Sequence, residues 1–148
     1  VTRVSFYHLL TSPLEKALPQ ILEKIVAGQG KALVLCGSEE RRDALNSVLW
    51  TYNPDSFLPH GTAKEGFSDK QPIYLTAQVE NPNNAGFLVL LDGMAYLEMA
   101  NFERCLIFFN GHDDEAVAAA RANWKTYQAQ GFMVEYFKQE EGGRWGKV

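Results

Sequence analysis

Arg104-Cys105-Leu106-Ile107-Phe108-Phe109 is continuously apolar from Cys105 on, followed by the turn pair Asn110-Gly111, an amphipathic stretch from Asp113 to Gln130, Gly131, and a β-rich run from Phe132 to Lys138. An apolar run without alternation, bounded by turn residues, reads as a strand buried on both faces. A helix and a second strand after it make a strand-helix-strand unit, whose crossover requires parallel pairing. The same grammar extends towards the amino terminus. Arg3 to Leu9 alternates and is rich in aromatic and β-branched residues, so it reads as a strand, and Thr11-Ser12-Pro13 is expected to supply a cap and a first-turn proline. Leu14, Leu18, Ile21, Leu22 and Ile25 then recur at helical spacing, with Pro19 expected to kink that helix or mark its true start, and Gly28-Gln29-Gly30 ends it.

Lys31 to Cys36 reads as a buried strand, Glu39 to Tyr52 as a helix with acids in its first turn, and the stretch from Asn53 to Gln71 as a loop. Pro72 to Thr76 and Phe87 to Leu91 are further strands, and Met94 to Asn101 is expected to be helical. The order βαβαββαβαβ predicts an α/β fold in three layers, a mostly parallel sheet covered by helices on both faces. A chain of 148 residues suits a single domain spanning residues 1–148, with the polar tail 139–148 expected to be partly disordered.

Composition narrows the functional classes. Hydrophobic residues make up 46% and charged residues 22%, ordinary for a globular domain, and no stretch approaches the roughly 20 apolar residues of a membrane span. The first residues do not read as a secretory signal, so a cytoplasmic setting is expected. Cys36 and Cys105 border apolar runs, as small buried residues do, and imply neither disulfide nor metal. With 14 basic against 18 acidic residues the net charge is -4, which disfavours tight, direct binding of DNA.

Catalytic motifs fail on inspection. Gly28-Gln29-Gly30-Lys31 superficially matches the end of a phosphate loop, but Ile25 and Ala32 occupy the positions that need glycine and Ser or Thr. Its order is also reversed, with a helix leading in and a strand leading out. The strand ending in Leu91-Asp92-Gly93 fits ordinary turn chemistry. His8, His60 and His112 lie in separate segments with no metal-site spacing and no nucleophile beside them, so each reads as structural. No cofactor is expected.

Two surface features are less easily explained by folding alone. On the second helix Leu45, Val48, Leu49 and Tyr52 form one stripe, and Trp50 falls about 140° from its centre, so it should face outward. Phe57, Leu58 and Pro59 follow in an aperiodic segment and with Trp50 could form an exposed apolar patch for a partner, the alternative being that Trp50 folds under that loop. On the last helix Val117, Ala120, Trp124 and Tyr127 make the stripe that should face the sheet. Arg121 and Lys125, four apart, border Trp124 on its flank. Two cations beside an apolar ring suit a short peptide with a hydrophobic anchor and a carboxylate, while a solvated cationic face fits the same pattern.

Phe6-Tyr7-His8-Leu9, Leu49-Trp50 with Ser56-Phe57-Leu58-Pro59-His60, Pro72-Ile73-Tyr74-Leu75-Thr76, Phe102-Glu103-Arg104, and Arg121-Ala122-Asn123-Trp124-Lys125-Thr126-Tyr127 with Gly131 stand in an order and spacing that resembles the chi subunit family of bacterial DNA polymerase III. The resemblance covers nearly the whole chain. It implies a Rossmann-like domain without catalysis of its own and with two partner sites. One would bind the acidic C-terminal tail of single-stranded DNA-binding protein through Arg121, Lys125 and a pocket near Trp124, Asn110, Gly111, Val134 and Tyr136. The other, using Trp50 and Phe57 with Leu58 and Pro59, would bind the psi subunit, another clamp-loader subunit or a helicase, so that DNA is met only indirectly. Trp124 stands where that family usually has tyrosine, Val117 where it has a lysine, and Asn110 where it has an apolar rim residue. The readings from other classes are a nucleotide-binding domain using Lys31 and a direct single-strand binder stacking bases on Trp124 and Trp145.

Overall fold

The computed structural model describes residues 1–53 and 58–148. Its elements run β1 (Arg3–Leu9), α1 (Leu14–Ala27), β2 (Ala32–Leu35), α2 (Glu39–Thr51), β3 (Ile73–Thr76), β4 (Phe87–Leu90), β5 (Arg104–Asn110), α3 (Asp114–Ala129), β6 (Met133–Gln139) and β7 (Trp145–Lys147). Among the described residues these strands form one sheet in the order β3-β2-β4-β5-β1-β6-β7, parallel throughout except for the antiparallel pairing of β6 with β7. β1 therefore lies between β5 and β6. The expected three-layer α/β architecture is the one observed.

Side-chain alternation along β1 divides the core. Tyr7 and Leu9 join α1 and α2 on one face, with Leu18, Leu22, Leu45 and Leu49. Val4 and Phe6 turn to the other face, under α3 and the segment around Met99 and Phe102. Phe6 is fully buried, which stabilises the fold by roughly 1.5–3 kcal/mol relative to leaving the ring in water. Both thiols are buried, and burial pushes the pKa of Cys36 and of Cys105 up to about 12.

Several local expectations change. Pro13 occupies the N-cap of α1 rather than its first turn, and the cap makes no side-chain bond. The turn before α1 is held instead by Gln139 of β6. That buried amide accepts from the backbone N–H groups of Leu10, Thr11 and Ser12 and donates to the Ser12 hydroxyl at 2.6 Å. Pro19 lies inside α1, its ring buried. Between Met94 and Asn101 only Met99–Asn101 is helical, as a single 3-10 turn. That segment has no amphipathic stripe to bury: Leu97 is almost fully exposed while Met99 is buried, and Asp92 and Gly93 enter it in left-handed conformations.

The polar stretch 139–148, expected to be partly disordered, is folded along the sheet edge. Trp145 packs edge-on against Tyr7 with ring centroids 5.0 Å apart, and β7 pairs with β6. A large ring that finds an apolar wall offsets the ordering cost of a short polar segment. Among the described residues, no helix is long and apolar enough to cross a membrane.

Candidate functional site

The parallel register of β5, β1 and β6 arranges the α3 face in three rows. Cys105, Val4 and Val134 form the first, Ile107, Phe6 and Tyr136 the second, and Phe109, His8 and Lys138 the third, at the carboxyl ends of the strands. α3 lies over these rows because Asp113 starts it cleanly: its carboxylate accepts from the N–H groups of Glu115 and Ala116, with Asp114 and Glu115 acidic in the first turn. Ala120 is its buried contact, and Ala116, Val117, Trp124 and Tyr127 are half-buried beside it. The small side chain at 120 lets the helix lie close to the sheet.

Trp124 does not close over the core. Its ring centroid lies 5.9 Å from that of Phe6 and 5.9 Å from that of Tyr136, so one edge packs on the second row while the side chain stays half-exposed. Tyr136 is also half-exposed and stacks against Phe6 at 6.2 Å. Burial raises the pKa of its hydroxyl while the Arg121 guanidinium opposes that rise. Arg121 and Lys125 are both exposed on α3, one turn apart. The structure thus brings Arg121, Trp124 and Tyr136 to one surface, with Lys125 continuing the cationic edge.

The other expected rim residues contribute differently. Val134 is half-buried one row below Tyr136. Asn110 turns its side-chain oxygen onto the His112 N–H at 2.9 Å and so closes the turn before α3. Gly111 donates its N–H to the Leu9 carbonyl at 2.7 Å and lies so close to His8 that a Cβ there would meet the imidazole at 2.1 Å. Only glycine fits.

His8, Phe109, Lys138 and His112 were not read from sequence as part of this surface. His8 is buried, with Nδ1 2.5 Å from the Tyr136 hydroxyl and its ring against Phe109 at 4.9 Å. Burial first, then Lys138, hold its pKa below the usual 6.5; a bond to the Gly111 backbone opposes this, and Arg121 and His112 lower it further. The available signal was parity, since His8 shares the face of Val4 and Phe6 at the end of β1.

A cavity of about 870 Å³ lies elsewhere, along the carboxyl ends of β4, β5 and β1. Glu15, Asp92, Asp113 and Glu115 line it against Arg41 and His112. Arg41 is already committed, to Glu15 at 2.6 Å and to Asp92 at 3.3 Å, and Asp92 also accepts from the Gly37 N–H. An acidic ligand would meet repulsion there. Of the expected peptide-site residues, only Asn110 lines this cavity.

At the second surface Trp50 is 53% exposed, as its helical phase requires, and its ring lies 4.7 Å from that of His60. Leu58 is buried and belongs to the core cluster with α1 and α2, which corrects its placement on the patch. An isobutyl side chain with core space beneath it gains more from burial than from waiting on a partner. Pro59 is half-buried, and Phe57 lies outside the described residues. His60 is buried beside Trp50 and donates its Nδ1–H to the Leu58 carbonyl, 2.6 Å away.

Comparison with known proteins assigns the chain. The family model described as DNA polymerase III chi subunit, HolC, matches residues 1–135. A protein of Rickettsia prowazekii (strain Madrid E) named "Probable DNA polymerase III subunit chi" is 30% identical, covering 97% of this chain and 90% of the relative. The DNA polymerase III subunit chi of Escherichia coli (strain K12) is 22% identical over 83% of this chain and 84% of its own, and that of Pseudomonas aeruginosa is 25% identical over 91% and 95%. The chain belongs to the DNA polymerase III chi subunit family.

Proposed function

We propose that this chain is a non-catalytic, cytoplasmic accessory subunit that links the clamp loader to the acidic C-terminal tail of single-stranded DNA-binding protein. The observation that carries this reading is the juxtaposition of exposed Arg121 and Lys125 with the half-exposed rings of Trp124 and Tyr136. A guanidinium takes a carboxylate in a forked geometry, and the rings take an apolar anchor. A tail presented in many copies along coated DNA multiplies a weak contact while each contact still exchanges. Arg121→Ala should weaken binding of an acidic C-terminal peptide about tenfold or more without lowering the melting temperature. Added salt should act in the same direction. Calorimetric titration of the peptide checks this, and an affinity unchanged by the substitution overturns it.

Trp50, exposed over His60, is the surface for the second partner, which the resemblance gives as psi, another clamp-loader subunit or a helicase. Trp50→Ala should abolish co-purification with clamp-loader proteins while peptide affinity stays within twofold, as expected for surfaces that share no residue. Retention of the complex counts against this surface. Stacking of bare single strands on Trp145 is disfavoured by its packing against Tyr7 and Phe108.

A further inference from the structure

The two flanks of α3 face different parts of the sheet. Ala116, Ala119 and Asn123 look onto the cavity over β4 and β5, so the opposite flank, with Trp124 against Tyr136, overhangs β6. Arg121 lies on that flank, about 60° further than Trp124 from the buried line through Ala120. The helix starts at the carboxyl end of β5 and ends at the amino end of β6, so it runs against the strands. Three residues towards its start, about 4.5 Å, correspond most nearly to one row of the sheet, about 6.6 Å. Trp124 stands over the second row, and Arg121 therefore stands over the third, where β6 contributes Lys138.

Lys138 is exposed, and alternation along β6 puts it on the α3 face with Val134 and Tyr136. The charges of Lys138 and Arg121 both reach the His8 ring, that of Lys138 the more strongly. On the other face of β6 the cations are already matched, since Glu135 pairs with Arg3 at 3.5 Å and with Lys147 at 3.1 Å. Among the described residues neither Arg121 nor Lys138 has such a partner. Two unmatched cations over one groove repel each other, and a ligand with two negative charges relieves both.

Resting on the tail-site reading above, we propose that Arg121 and Lys138 form a clamp built from two elements, each cation holding its own carboxylate. Arg121 takes the terminal carboxylate of the tail, and Lys138 takes that of an acidic side chain just before the last residue. An apolar last residue seated on Trp124 and Tyr136 keeps its own carboxylate within reach of Arg121, one turn away, where the planar fork binds both oxygens. Lys138, on the facing strand, is left with the next negative charge, which its flexible stem and three donors accept without a fixed geometry. A tail with a terminal carboxylate but no acidic side chain fills half of the clamp.

The test uses the full chain and two peptides that share an apolar last residue with a free carboxylate, one carrying aspartates just before it and the other asparagines. Lys138→Gln should weaken the aspartate peptide about threefold or more at low salt and leave the asparagine peptide unaffected. The melting temperature should not move, because the side chain is exposed. Lys138→Arg restores the charge and should recover most of the affinity, while Arg121→Ala should weaken both peptides. Should Lys138→Gln leave the aspartate peptide unchanged, or weaken both peptides equally, while binding still depends on Arg121, the clamp is overturned and the tail site stands. Binding of both peptides that is indifferent to Arg121→Ala overturns both readings.

Discussion

His8 is buried in a cationic neighbourhood, and that combination sets a pH dependence of stability. Its folded pKa lies below 6.5, through burial first and then Lys138. The unfolded chain therefore takes up this proton at higher pH than the folded one, so the stability His8 contributes is present above about pH 6.5 and is lost as pH falls towards the folded value. The glutamates with depressed pKa, Glu15, Glu65 and Glu135, lose theirs as pH falls through and below the ordinary value of 4.5. Between pH 6.5 and 5 the melting temperature should fall, and His8→Leu should flatten that slope; thermal unfolding followed by circular dichroism at several pH values measures both. The phase of helix α2 was enough to place Trp50 outside. No local pattern placed His8 against Tyr136, because that partner stands 128 residues further along.

α3 is the element on which the proposed peptide surface depends. Its start was legible in Asp113-Asp114-Glu115, and its core stripe in the spacing of Val117, Ala120, Trp124 and Tyr127. Asp113→Ala removes the acceptor for two backbone N–H groups and should cost about 1 kcal/mol in urea unfolding. Peptide affinity should fall only slightly, since Arg121 lies two turns further on; a large loss would mean that the helix start positions the site directly. The segment 94–101 shows the opposite case, in which apolar and helix-forming residues were present but no stripe was available to bury, and only one short turn formed.

Gln139 ties the whole molecule together. From the last residue of β6 it holds the turn after β1, with 127 to 129 residues between the partners. Gln139→Ala leaves three backbone donors without their acceptor and should cost about 2–3 kcal/mol, read as a lower urea midpoint at unchanged slope. Because that turn borders β1 at its carboxyl end, the same substitution should also loosen His8.

Runs of apolar residues, helical periodicity and turn chemistry are local properties, and by themselves they determined the α/β class, the bounds of most elements and the outward face of α2. They also marked Arg121, Lys125 and Trp124 as neighbours, since positions three and four apart share a helix face. Strand order and register are non-local, and only the tertiary structure decided that β1 lies between β5 and β6. That placement puts Phe6 and Tyr136 under Trp124 and seats His8 between Phe109 and Lys138. The physical reason is that a side chain's charge state and exposure are set by what packs across it, and here those partners come from strands about a hundred residues away.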